Sequence, residues 1–283
     1  FRKPLIVTMH STEYGRRAGL HNDFQRSIHE MENWLCYEAW RVITCSHYMR
    51  DHVAWCFSQP QGKIDTIPNG VDVTKWSFPF NYWEIRNRFV SKDENLILFV
   101  GRMVSEKGLD TIIFALPILL RHGIPVKLVA VGEGPHKETC QRLAQDMGLS
   151  EKVHFTGHID DWTLRALYRV ADVAAFPSRF EPFGIVALEA MAAQCPVIVN
   201  GVGGLNEIVD HEVNGLKVSP DNPKALAMAI ERIIKDGDLR NRMVENAYEK
   251  CLQVYNWDRI AEQTLHVYDK VLKEWDAGVW KPI

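Results

Sequence analysis

Leu96-Ile97-Leu98-Phe99-Val100-Gly101-Arg102-Met103-Val104-Ser105-Glu106-Lys107-Gly108 contains the structural unit that repeats along this chain. The apolar run 96–100 is short and unbroken, as a parallel strand covered on both faces requires. It stops at Gly101-Arg102. Gly108 then opens a helix predicted over 108–121, with Leu109, Ile112, Ile113, Leu116, Leu119 and Leu120 at helical spacing. Pro117 fits poorly inside that helix and is expected to kink it.

The same alternation continues downstream. Strands are predicted at 126–131, 153–156, 173–176, 196–200 and 215–218. The first two end at Gly132-Glu133-Gly134-Pro135 and at Gly157. Helices fall between them, to about Met147, over 162–169, from Gly184 to Ala193, and briefly from Leu205. Strand–helix alternation of this kind builds α/β folds with parallel sheets. The remainder from Pro223 reads as helical, with that proline tolerated in a first turn. A last amphipathic helix, 257–275, carries Ile260, Leu265, Val267, Tyr268, Val271 and Leu272.

The first seventy or so residues form a separate fragment. A strand at 5–8 is followed by a polar loop (11–23), a helix (24–40) and a strand (42–45). A helix from Ser46 and a strand at 64–67 come next. Pro68-Asn69-Gly70-Val71-Asp72 is a turn signal and a domain boundary. Phe1-Arg2-Lys3-Pro4 leads at once into the first strand, so we expect a chain cut inside a domain, with an N-terminal portion absent.

Composition bounds the function. Hydrophobic residues make up 46% and charged residues 24% of the 283 positions, a globular balance. The net charge of -3 gives no basic footprint for nucleic acid. The six cysteines show no CxxC pair, which we read as reduced thiols in a cytoplasmic protein, with Cys195 in the core. No apolar run reaches the roughly 18 residues that cross a bilayer, and no secretory leader is visible.

Two loops stand out. In Glu181-Pro182-Phe183-Gly184-Ile185-Val186-Ala187-Leu188-Glu189, one carboxylate precedes a buried helix and the other lies about a turn inside it. The start of such a helix offers free N–H groups and partial positive charge to an anion. A phosphate held there, with carboxylates beside it to accept sugar hydroxyls, would recognise a sugar nucleotide. A capping pair of acids would read the same way. In the loop 101–108, Arg102 and Lys107 lie at the carboxyl end of a strand, where open α/β folds bind ligands. Together they suit a diphosphate leaving group, and they would equally suit solvated charges on a strand–helix loop.

These two loops resemble the retaining glycosyltransferases of family 4, the group 1 glycosyltransferases that include glycogen and glucan synthase-like members. Further similar stretches are Ile67–Asp72, Val131–Pro135, Val153–Gly157, Ala171-Asp172-Val173 and Gly203-Gly204-Leu205-Asn206-Glu207. The resemblance implies the GT-B architecture, α/β with two Rossmann-like domains. Residues 1–72 would be a partial, acceptor-side N-terminal domain. Residues 73–256 would bind the nucleotide sugar, and 257–283 would be a crossing helix. Arg102 and Lys107 would bind the donor diphosphate, Glu189 the ribose hydroxyls, and Glu181 the transferred sugar. Backbone groups of Phe183, Gly184 and Ile185 would meet sugar or phosphate, Gly101 and Gly132 would border the donor, and Gly157, His158 and Ile159 would lie near the base. His10, at the end of the first strand, matches the family's cleft-facing histidine.

The resemblance also implies a substrate rather than a cofactor: a UDP- or ADP-sugar, with no bound metal. Asp236-Gly237-Asp238 has the form of a metal motif, but a turn and cap explain it better. Gly132-x-Gly134 lacks the third glycine of a dinucleotide fingerprint, which argues against a nicotinamide oxidoreductase. The expected activity is transfer of a hexose, glucose foremost, to a carbohydrate or other hydroxyl acceptor with retention. A nucleotide-sugar epimerase of the same fold and a non-catalytic carbohydrate-binding protein are the alternatives. The acceptor, association with a membrane surface and the oligomeric state stay open.

Overall fold

The computed structural model describes residues 3–278. The lead-in Phe1-Arg2 and the end of the 257–283 segment lie outside them. Along the chain run β1 (Ile6–Met9), α1 (Glu13–Arg17), α2 (Asp23–Glu38), β2 (Arg41–Thr44), α3 (His47–Cys56) and β3 (Ile64–Thr66). They are followed by α4 (Tyr82–Arg86), β4 (Asn95–Val100), α5 (Leu109–Arg121), β5 (Val126–Val131), α6 (Lys137–Asp146) and β6 (Val153–Gly157). Then come α7 (Asp161–Val170), β7 (Val173–Phe176), α8 (Ile185–Ala192), β8 (Val197–Asn200), α9 (Leu205–Ile208) and β9 (Leu216–Val218). The chain ends with α10 (Pro223–Lys235), α11 (Gly237–Gln253) and α12 (Trp257–Asp276).

The chain divides into two compact units, 1–70 with 255–283, and 71–254. In the first unit, β1, β2 and β3 pair in that order, all parallel. The terminal helix α12 belongs to this unit. Ile260 and Val267 from it pack with Ile43, Ile67 and Ile6, and its Glu274 accepts a 2.7 Å bond from the Trp40 indole. Arg41 grips Asp65 on the neighbouring strand through two bonds of 2.7 Å. The segment 11–23 is not the plain loop its polarity predicts: α1 interrupts it. Buried Thr12 caps this one-turn helix by accepting from Gly15 N, and the Glu32 carboxylate takes Glu13 N–H at 2.9 Å. Such short polar helices leave no apolar stripe in the sequence.

In the second unit, six parallel strands run in the order β6-β5-β4-β7-β8-β9. β4 is central, with Ile97 opposite Val173 of β7 and Leu128 of β5. Its residues Leu96 to Phe99 are at most 1% exposed, which accounts for the unbroken apolar run. Helix α5 buries Leu109, Ile112, Ile113, Leu116 and Leu119, packs against α10, and continues through Pro117 without a break. Arg86 ties the amino ends of β4 and β7 together. Its guanidinium donates to Val170 O (2.6 Å), Glu94 O (2.8 Å) and the Asp172 carboxylate (2.7 Å), and Asp172 also accepts from Leu96 N (2.6 Å).

The strand order matters for function. The chain moves from β4 outward to β5 and β6, then returns to the other side of β4 for β7, β8 and β9. The direction reverses between β4 and β7. At such a switch point the connecting loops part, and the carboxyl ends of the strands border a crevice.

Candidate functional site

The loops after β4 and β7 meet at this switch point. The β4 loop makes a 3-10 turn, Ser105–Lys107, and then Gly108 at φ 68° starts α5. A Cβ on Gly108 would sit 2.0 Å from Pro177 O, so only glycine lets the two loops approach this closely. Lys107 Nζ donates to Glu181 Oε2 at 2.6 Å. The two side chains are 23% and 9% exposed, so they form a mostly sheltered ion pair that still touches solvent on the lysine side.

The Glu181 turn is held from behind. Asn200, at the end of β8 and fully buried, donates from Nδ2 to Ser178 O at 3.0 Å, and Gly204 N donates to Glu181 O at 2.9 Å. Gly204 lies so close to the Phe183 backbone that a Cβ would meet its Cα at 2.4 Å. Gly184 then begins α8 at φ 107°, with no side-chain cap. The helix therefore starts with a buried glycine followed by the exposed Ile185, and no side chain caps its first N–H groups.

Glu189 lies one turn inside α8. Its Oε2 accepts from the Tyr168 hydroxyl of α7 at 3.1 Å. Burial pushes the Glu189 carboxyl above its ordinary value, although the tyrosine bond acts the other way. Burial and the adjacent carboxylate push the Tyr168 phenol well up, so it stays a donor. Tyr168 is fixed by an edge-on contact with Trp76 (centroids 5.4 Å apart) and has no exposed surface.

Other predicted residues take up separate positions. Arg102 is on the same loop as Lys107, but its side chain is 68% exposed and its nearest carboxylate, Glu106, is 3.9 Å away. It therefore does not join the Lys107–Glu181 pair. Gly101 and Gly132 lie where the β4 and β5 loops run together, zipped by Met103 N to Glu133 O and His136 N to Met103 O, both 2.8 Å. Buried Gly157 ends β6, and exposed His158 and half-buried Ile159 follow it, at the outer edge of the rim. His10 is exposed directly after β1 in the other unit. Among the described residues no group of three or more His, Cys, Asp or Glu could hold a metal. Asp236 caps α11 by accepting from Leu239 N at 2.9 Å. Nor, among the described residues, is any helix long and apolar enough to cross a membrane.

Sequence reasoning missed two residues here. Tyr168 belongs to no motif in the sequence, and nothing there shows that its hydroxyl meets Glu189. Arg179 belongs to no motif in the sequence, yet it binds Asp110 in two bonds (2.8 and 3.0 Å), Asp221 (2.6 Å) and Ser105 O.

Residues 81–250 match the model of the glycosyl transferases group 1, and residues 1–75 match that of glycosyltransferase family 4. An uncharacterized glycosyltransferase of Methanocaldococcus jannaschii is 43% identical over 274 residues, 94% of this chain and 69% of its own length. A glycogen synthase of Mycobacterium tuberculosis is 34% identical over 266 residues, again 94% of this chain, and the chain spans 63% of that relative's length. Among solved structures, the sucrose-phosphate synthase of Thermosynechococcus elongatus superposes with a TM-score of 0.82 at 30% identity, covering 95% of this chain and 68% of that one. The Anabaena protein HepE, in complex with UDP-glucose, shares the fold with a TM-score of 0.84 at 23% identity, covering 95% and 73%. With both family models matched and the parallel α/β units in place, the chain belongs to the group 1 glycosyl transferases of family 4, whose fold class is GT-B.

Proposed function

We propose that this protein transfers a hexose, glucose foremost, from a nucleoside-diphosphate sugar to a hydroxyl acceptor with retention of configuration. The observation that carries the reading is the Lys107–Glu181 pair at the β4/β7 switch point, beside the uncapped start of α8. An ammonium has three N–H donors. Lys107 can keep Glu181 and still offer a donor to a diphosphate oxygen. Arg102, free of a close partner, swings in from the rim as the second cation.

In this reading each acid has one task. Glu181 accepts from hydroxyls of the transferred sugar, and Glu189, braced by Tyr168, accepts from the ribose. As the bond between the anomeric carbon and the diphosphate breaks, the electron pair passes to the phosphate oxygen. Lys107, Arg102 and the N–H groups of Gly184 and Ile185 stabilise the growing charge there. The acceptor oxygen attacks the same face, and its proton goes to the departing diphosphate. HepE with UDP-glucose and the glycogen and sucrose-phosphate synthases are relatives or fold neighbours whose names fit such a donor.

Calorimetry with UDP-, ADP- and GDP-glucose on the wild type and Arg102→Ala tests the proposal. One of the three should bind the wild type and bind the variant more weakly. If none binds the wild type, the proposal fails. An epimerase would consume the bound donor without any acceptor, and a non-catalytic binder would leave it intact with every acceptor offered.

A further inference from the structure

We infer that Arg179 is a positioning residue that locks the two halves of the donor site together, a role that rests on the functional reading above. Arg179 stands two places before Glu181, in the loop after β7. Its backbone N–H donates to Glu106 O at 2.7 Å, and its guanidinium donates to Ser105 O. Those acceptors are the two residues immediately before Lys107. One arginine thus binds the Lys107 turn by main chain and side chain together.

The same guanidinium is also anchored by two carboxylates. It makes a forked pair with Asp110 in the first turn of α5 (3.0 and 2.8 Å) and takes Asp221 at 2.6 Å. The planar fork matches the carboxylate in a way that a lysine cannot. Asp110 follows Gly108 by two residues, so the β7 loop is fastened on both sides of the position from which Lys107 projects. With Arg179 31% exposed and facing carboxylates rather than the crevice, its task is to hold Lys107 and Glu181 in register. It does not touch the donor.

The first test needs no substrate. A lysine-directed acylating reagent, read by mass spectrometry, reports how tightly Lys107 is held against Glu181. Arg179→Ala should label Lys107 several-fold faster than wild type, while exposed Lys92 labels at the same rate and buried Cys195 stays closed to a thiol reagent. Unchanged labelling of Lys107 overturns the inference. Should Arg179→Ala open Cys195, the decision passes to Asp110→Asn, which keeps the guanidinium: faster Lys107 labelling with Cys195 closed supports the lock, and an unchanged rate overturns it.

The second test is kinetic. Loss of register by about 1 Å is worth about 100-fold. Arg179→Ala should therefore lower kcat by about that factor, with a smaller loss of nucleoside-diphosphate affinity because Glu189 still holds the ribose, and Arg179→Lys should fall between. Wild-type kcat in Arg179→Ala overturns the lock alone. Absence of donor binding in the wild type would instead remove the transferase reading and leave the labelling result standing.

Discussion

Lys107→Met keeps the aliphatic stem of the lysine and removes its charge. The Glu181 carboxylate, 9% exposed, would then be left with the Ser178 hydroxyl at 3.5 Å, too long for a good hydrogen bond. Breaking a fully buried pair by removing one partner costs about 3–5 kcal/mol. Lys107 is 23% exposed, so water replaces part of what is lost, and we set the cost at about 2 kcal/mol. In a unit of this size that lowers Tm by about 4–8 °C. Glu181→Gln added to Lys107→Met should restore most of this stability, because no unpaired charge remains. Catalysis should behave in the opposite way. Loss of one preorganised donor to a developing oxyanion costs about 100- to 1000-fold in kcat, and the double variant should recover none of it. Thermal unfolding of the four proteins in the cycle, alongside donor turnover, measures both effects. A Lys107→Met that melts like wild type, with no coupling in the cycle, would refute the energetic reading of the pair.

Glu189 gives a pH signature. Burial raises its folded-state carboxyl above the ordinary 4.5. Nucleotide affinity should therefore begin to fall at a higher pH than for an exposed acid, as the proton displaces ribose acceptance, and calorimetry on Glu189→Gln should give a weak, pH-independent baseline. Stability runs the other way: the desolvation cost is carried above the raised value and relieved as pH falls through it, so Glu189→Gln should be at least as stable as wild type at pH 7. Glu189→Ala should weaken nucleotide binding, whereas Glu181→Ala should mainly slow transfer; equal loss of diphosphate affinity in both contradicts that division. Gly184→Ala places a side chain at φ 107°, 2.4 Å from Leu205 Cδ2, and should cost about 1–3 kcal/mol in chemical unfolding. Arg86→Ala leaves Asp172 without its cation beneath the sheet and should cost about 3–5 kcal/mol, with donor affinity unchanged in whatever fraction remains folded.

How much could be read beforehand follows from the range of each interaction. The strands of the second unit announce themselves because burial on both faces forces local apolar runs such as 96–100 and 126–131. The placement of Glu181, Glu189 and Lys107 at a strand–loop–helix junction was legible because a strand end and a helix start fix those positions along the chain. The strand order was not, since alternation alone does not say on which side of β4 the chain returns. Arg179 was missed because its main partner, Asp110, is 69 residues away. Tyr168 was missed because a hydroxyl's partner leaves no periodic trace, and α1 because a single capped turn has no stripe. Arg102 was expected beside Lys107; its exposure reflects a loop that gives it no carboxylate closer than 3.9 Å.

The most direct measurement is a crystal structure of the protein with whichever nucleoside diphosphate binds best. The account predicts the distal phosphate between Lys107 and the amino end of α8, with both ribose hydroxyls on Glu189. A nucleotide seated elsewhere, or one that leaves the Lys107–Glu181 pair untouched and out of reach, would contradict it.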